Sequence, residues 1–248
     1  MAIYIGTSGW NYKHWREVIY PKGLAASKWL AFLTAEFNTV EVNTSFYRIP
    51  TEKSIATWQS IVPPHFRFAL KLWRGITHYR KLRNSGDLIQ RFLDIVDPIA
   101  PRHRGPILVQ LPPNQGLDLG KLDTFLHDWH SLAGREWRLA LEFRNDAWLT
   151  PATNELLTRH HAALCLHDMH GKAAVNEPNH ANLVYIRRHG SSDAGPYQGS
   201  YSPEQIRRDA HRIRRWNTEG KDVFVYYNND IGGHAFYNAR DLRDLCSR

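Results

Sequence analysis

The stretch Thr39-Val40-Glu41-Val42-Asn43 alternates strictly, with Thr39, Glu41 and Asn43 on one side and Val40 and Val42 on the other. Successive strand side chains point to opposite faces, so the run reads as a strand whose valines enter an apolar layer while its polar residues share a second face. Arg138-Leu139-Ala140-Leu141-Glu142-Phe143-Arg144 repeats the pattern, setting Ala140, Glu142 and Arg144 against Leu139, Leu141 and Phe143. Working outward, further strand candidates stand at 3–7, 66–72, 107–111, 163–167, 183–187 and 222–228, which with 39–43 and 138–143 makes eight. Helical spacing follows most of them, at 25–37, 51–61, 86–100, 119–129, 150–160, 203–218 and 235–245. The segment 169–182 carries Gly171 and Pro178 without an apolar period and is expected to be a loop or one helical turn. Strands alternating with helices at intervals of roughly 30 residues imply βαβ units and a parallel sheet. At 248 residues the chain has the usual length of one α/β barrel, so a (β/α)8 TIM-type barrel in a single domain, 1–248, is the expected fold. An open doubly wound sheet is the runner-up, and no Gly-rich dinucleotide fingerprint follows any strand.

Polar residues collect toward the carboxyl ends of these strands: Glu41 and Asn43, Lys71, Gln110, Glu142 and Arg144, Arg187 and His189, and Asn228. Barrel enzymes build their sites at that end, whereas positions chosen for stability alone are filled by Val, Ile and Leu. The competing reading is a buried ion network of Glu41, Lys71, Glu142 and Arg144 that only fixes the barrel.

The blocks Glu41-Val42-Asn43-Thr44-Ser45-Phe46-Tyr47-Arg48-Ile49-Pro50, Ile76-Thr77-His78, Gln110-Leu111-Pro112-Pro113, Glu142-Phe143-Arg144, Arg187-Arg188-His189-Gly190, Tyr197-Gln198-Gly199-Ser200-Tyr201-Ser202 and Asn228-Asn229 resemble, in order and spacing, the YecE-like family, known as domain of unknown function 72. The opening Ile5-Gly6-Thr7-Ser8-Gly9-Trp10 is also typical of it. The resemblance spans nearly the whole chain and implies a barrel of the triosephosphate-isomerase type and wide bacterial occurrence, with no settled activity to carry over. Trp73 and Arg188 depart from what relatives are expected to hold there and are expected to reshape the ligand pocket.

Among the polar tips, Glu41 and Glu142 can divide acid and base roles if their environments separate their pKa values, with Lys71 as proton carrier, Schiff-base nucleophile or simple counter-ion. Arg144, Arg187 and His189 supply donors for a phosphate or carboxylate, and Asn43, Tyr47, Gln110 and Asn228 complete the expected binding set. Gly6-Thr7-Ser8-Gly9 reads either as a backbone anion nest or as a plain turn. Aromatic residues crowd the same loops, among them Trp10, Tyr12, Trp15, Tyr47, Trp148 and Tyr197, about half of them expected to pack the rim and the rest free to stack a ring. The expected ligand is therefore an anionic, ring-bearing small molecule, a sugar phosphate or nucleotide-like compound, bound at the barrel mouth and open to carboxylate and lysine acid–base chemistry; whether turnover follows is left open.

Neither cofactor nor metal is expected. His160, His161, His167, Asp168 and His170 are dense but ill spaced, and Lys71, Arg144 and Arg187 would oppose a cation held by Glu41, Glu142, Asp168 and His189. The formal charge of +8 favours anionic partners without choosing one. Arg207, Arg208, His211, Arg212, Arg214 and Arg215 give one helix a basic face, so the alternative function is a nucleic-acid-binding or repair protein, possibly metal-dependent, that uses the barrel mouth and this outer helix. Two scattered cysteines form no disulfide framework. With no leader pattern and no apolar run near the roughly 20 residues that span a bilayer, a cytoplasmic protein without a membrane partner is expected.

Overall fold

The computed structural model describes residues 1–134, 136–169, 177–190 and 195–247. Its strands are β1 (Ile3–Thr7), β2 (Thr39–Val42), β3 (Arg67–Lys71), β4 (Arg104–Leu111), β5 (Leu139–Phe143), β6 (Ala163–His167), β7 (Leu183–Arg188) and β8 (Asp222–Tyr227). All ladders are parallel and run in the order β1-β8-β7-β6-β5-β4-β3-β2. The principal helices are α1 (Trp29–Thr34), α2 (Thr44–Tyr47), α3 (Glu52–Ile61), α4 (Gly86–Val96), α5 (Leu119–Ala133), α6 (Pro151–Arg159), α7 (Pro203–Thr218) and α8 (His234–Cys246). The arrangement is the expected (β/α)8 barrel.

Strand alternation sorts the apolar residues into two separate bodies. Val40, Leu70, Val109, Leu141, Ile186 and Val225 belong to the large layer between strands and helices. Ala69, Leu108, Ala140, Cys165, Tyr185 and Tyr226 fill the barrel interior. Small alanines on β3, β5 and β6 share this interior with bulky Tyr185, Phe224 and Tyr226 on β7 and β8, all of them buried.

The seam between β1 and β2 is made differently from the other junctions. Only the bridge Ser8↔Glu41 joins them as strands. Lower down, the Asn38 side chain substitutes for a ladder: its Nδ2 donates to Ile3 O at 2.9 Å and its Oδ1 accepts from Ile5 N at 3.0 Å. Gly6 lets the two backbones approach, because a Cβ there would sit 2.1 Å from Thr39 O.

Helices α3, α5, α6 and α7 start on side-chain caps from Thr51, Asp118, Thr150 and Ser202. Ser202 caps α7 with a full capping box to Gln205 and Pro203 in the first turn. The face Ile206, Ala210, Ile213 and Trp216 is buried, as its spacing predicts. The stretch 25–37 holds only six α-helical residues, since Ala26–Lys28 is a tighter 3-10 turn. Two short elements have no periodic signal and escape prediction: α2, and a π-helical turn at Gly75–Tyr79. Half of the predicted loop between β6 and β7, residues 170–176 and so His170, lies outside the described residues. Among the described residues no helix is long and apolar enough to cross a membrane.

Candidate site at the barrel mouth

Residues two apart on one face converge when parallel strands close into a ring. Glu41, Glu142 and Arg187 accordingly meet at the top of the lumen, each almost fully buried. The Arg187 guanidinium lies between the two carboxylates. Its Nε and Nη2 donate to Glu41 at 3.0 and 2.8 Å, and its Nη1 donates to Glu142 Oε2 at 2.8 Å. Glu41 is also held by Ser8 Oγ and Tyr185 Oη, each donating at 2.6 Å. Burial by itself would raise the Glu41 pKa, but Arg187 and these donors outweigh it and hold the carboxyl below its ordinary value. Glu142 is pressed up by burial and drawn well below the ordinary value by Arg187 and Arg144, whose Nη2 stands 2.7 Å from Oε1.

His189 joins the arginines from below. Its Nε2 lies 3.1 Å from both Arg144 Nη2 and Arg187 Nη1, so it accepts from two guanidiniums and carries no proton there. Burial, then Arg187, lowers its pKa to about 4 against the opposing pull of Asp168. Asp168 in turn accepts from His189 N at 2.8 Å and from Tyr201 Oη at 2.7 Å. The following Gly190 has φ +112, and a Cβ there would strike Gln198 O at 2.1 Å, so the turn that sets His189 requires glycine.

Lys71 is the exception. Ser45 Oγ, within 2.6 Å of Val42 O and 2.7 Å of Lys71 O, ties its backbone to β2. Its Nζ lies 4.1 Å above the Phe46 ring and, among the described residues, makes no ion pair. Burial first, then the charge of Arg187, lowers its pKa to about 7; Glu142 and Glu41 oppose the shift and Arg144 adds to it. His78, from the π-helical turn, is depressed by burial and by the Lys71 charge.

Above this cluster opens a cavity of about 460 Å³ whose polar wall includes Lys71, Arg144, Arg187, Asn43, Asn228 and Asp230. Trp10, Tyr12, Tyr47, Trp58 and Tyr197 supply its aromatic surface. Asn43 Oδ1 is buried with no partner among the described residues, as is Arg144 Nε. Asp230 has its pKa raised by burial, with His14 Nε2 at 3.1 Å opposing.

Of the sequence-derived binding set, Asn43, Tyr47, Arg144, Arg187 and Asn228 line this cavity with Lys71. Glu41, Glu142 and His189 lie outside its wall, sealed among their partners, and Gln110 stands beside Glu142 in the β4–β5 register without lining it. Three expectations are corrected. The Gly6–Gly9 turn is no anion nest, because Ser8 N donates to Tyr227 O at 2.8 Å and Gly9 N to Thr7 O at 3.1 Å. Lys71 is not the counter-ion of Glu41 and Glu142, which Arg187 and Arg144 already occupy. Trp73 and Arg188 do not line the pocket: Trp73 packs on Gly75, and Arg188 pairs with Asp209 of α7 at 2.6 Å. Sequence reading missed Trp58, whose helical spacing resembles a core position, and Asp230, although it directly follows Asn228-Asn229.

Donor atoms of Glu142, His167 and His189 lie within 4.8 Å of one another, a spacing compatible with a metal. Glu142 Oε1 and His189 Nδ1 have no hydrogen-bond partner among the described residues, but a cation already faces the first, with Arg144 Nη2 2.7 Å from that Oε1. His167 Nε2 donates to Phe143 O at 2.9 Å and its Nδ1 accepts from Met169 N at 3.3 Å, while Glu142 and His189 hold two guanidiniums. A cation there would face both arginines, so these residues do not fit a metal.

A parallel α/β barrel with an arginine–carboxylate network beneath an aromatic-walled cavity is the class of protein that fold and site define. The chain belongs to the family described as protein of unknown function DUF72, which matches residues 4–248. The UPF0759 protein YunF of Bacillus subtilis is 25% identical over 270 residues, covering 98% of this chain and 94% of that protein. The UPF0759 protein YecE of Escherichia coli K12 is 31% identical over 153 residues, covering 62% of this chain and 52% of that protein. A DUF72 family protein of Thermotoga maritima superposes with a TM-score of 0.86 at 23% identity, with all of both chains covered. One from Enterococcus faecalis superposes at 0.82 and 21% identity, covering 99% of this chain and 96% of that one. At those identities the two structures bear on the fold alone.

Proposed function

We propose that the barrel mouth binds an anionic, ring-bearing small molecule, with its charged group on Arg144, Arg187 and Lys71 and its ring among the aromatic walls. The observation that carries this reading is the charge balance of the cavity. Glu41 and Glu142 are spent on Arg187 and Arg144, and Asp230 faces His14, which leaves the Lys71 amine beside two guanidiniums with no ion pair of its own among the described residues. An anion relieves that repulsion and meets planar, preorganised donors. Asn43, Asn228 and Asp230 lie on the same wall and suit ring hydroxyls, as in a sugar phosphate. Lys71, with its pKa near neutrality, is the group placed for proton transfer; Glu41 and Glu142 act as positioning residues for the arginines.

Sulfate is the simplest probe. Thermal denaturation should show stabilisation of the wild-type protein by sulfate, amounting to roughly 2.7 kcal/mol at 100 times the dissociation constant. Arg144→Ala and Lys71→Met should fold and lose most of it. Equal sulfate stabilisation in all three proteins would remove the reading.

A nucleic-acid role ranks second. On α7, Arg215 is engaged by Glu177 at 2.6 Å, Arg214 by Leu245 O at 2.9 Å, and Arg212 lies over Trp216, which leaves a weaker basic face than the sequence implies.

A further inference from the structure

We propose that Lys71 is a covalent-capture residue, and that the anionic ligand carries an aldehyde or ketone which the Lys71 amine converts to an imine. This rests on the anion-binding reading above and deepens it by naming the reacting group of the ligand.

The geometry has three parts. The amine is at the end of β3, on the wall of the cavity, anchored through its own backbone by Ser45 and seated over the Phe46 ring, without a carboxylate to hold it as an ammonium ion. Lysines used as counter-ions have such a carboxylate; those used as nucleophiles are kept neutral by desolvation and by neighbouring cations. Here the neighbouring cations are Arg144 and Arg187, which also make the ion pairs of both carboxylates, while the amine makes none among the described residues. The second part is size: a cavity of about 460 Å³ has room for a ring whose anionic group rests on Arg144 and Arg187 once the Lys71 amine has left that contact, as a free base, for a carbonyl. The third is an acid–base group, since Asp230 lines the same cavity with its pKa raised by burial.

The step balances without an oxidant or reductant. The Nζ lone pair forms a bond to the carbonyl carbon as the C–O π pair moves to oxygen. That oxygen takes up the proton shed by nitrogen, giving a carbinolamine. One further proton, for which Asp230 is the carboxyl on the wall, lets the hydroxyl leave as water, and the nitrogen lone pair closes a protonated imine. The product is an electron sink beside two fixed guanidiniums, suited to proton abstraction or carbon–carbon cleavage next to the former carbonyl carbon.

Pyridoxal 5′-phosphate, a ring that bears both an aldehyde and a phosphate, is a suitable probe. The full chain is incubated with a limiting amount at pH 8, reduced with borohydride, digested, and mapped by mass spectrometry. Lys71 should be the dominant modified lysine, at least about tenfold above any other, since a desolvated amine near neutrality is far more nucleophilic than an exposed one. Excess sulfate should protect it. Pyridoxal, which lacks the phosphate, should label it much less. Lys71→Arg, which keeps a cation but no nucleophilic amine, should lose the adduct. Reduced label spread over the exposed lysines, indifferent to sulfate, would overturn the covalent role. If sulfate stabilisation persists in that case, the anion site stands and only the imine chemistry falls; if the wild-type protein shows neither, both readings fall.

Discussion

Arg187→Met should be among the most damaging single changes the barrel can suffer, with an expected loss of roughly 3–5 kcal/mol, because it leaves two buried carboxylates without their shared cation. Such a loss is a large part of the roughly 5–15 kcal/mol by which folded proteins exceed their unfolded state. Arg187 is 1% exposed and Glu41 and Glu142 are 0% exposed, so both carboxylates depend on protein partners for their charge. The network explanation also requires a rescue. In the quadruple variant Glu41→Gln/Glu142→Gln/Arg187→Met/Arg144→Met the paired charges are gone together, Arg144 included because it pairs with Glu142, and stability should return most of the way, as pairs removed whole cost far less than pairs broken. Urea denaturation of the single and quadruple variants tests this. A single variant within about 1 kcal/mol of wild type would show that the network contributes little.

Sulfate affinity should fall as pH rises above 7, by up to about tenfold per pH unit, the slope of one coupled proton. In the free protein Lys71 has its pKa lowered to about 7 by burial and then by Arg187. A bound dianion stabilises the ammonium and raises that pKa, so binding below it needs no proton and binding above it must take one up. Sulfate itself does not titrate in this window, unlike phosphate, which assigns the dependence to the protein. Calorimetry in buffers of different ionisation enthalpy should detect proton uptake at pH 8 and nearly none at pH 6. Lys71→Met should bind weakly with a flat profile. A wild-type profile equally flat would dissociate Lys71 from the anion.

How much of this was legible in the chain differs by residue. Strict alternation in 39–43 and 138–144 places Glu41 and Glu142 in the lumen, because period-two side chains in closed parallel strands have only one interior. The eight strands and the capped face of α7 follow from similarly local rules. Which carboxylate each arginine takes does not, since it depends on distances among β2, β5 and β7 that no spacing encodes. Lys71 illustrates the consequence: among two glutamates in sequence it resembles a counter-ion, yet Arg187, reaching across the lumen, fills that place first. Short elements such as α2 and the turn at Gly75–Tyr79 carry fewer residues than a helical period needs, and they are what seat Phe46 under Lys71 and His78 beside it. Trp58 shows the opposite failure, a strong helical pattern hiding a residue that reaches the cavity rim.

The central claim is that Lys71, Arg144 and Arg187 together form an anion site at the barrel mouth. A crystal of the full chain soaked in selenate and measured at the selenium absorption edge tests it directly. The expected result is an anomalous peak within hydrogen-bonding distance of the Arg144 guanidinium and the Lys71 amine, absent from Arg144→Ala crystals. Selenium density confined to the outer arginines of α7, with the mouth empty, would contradict it.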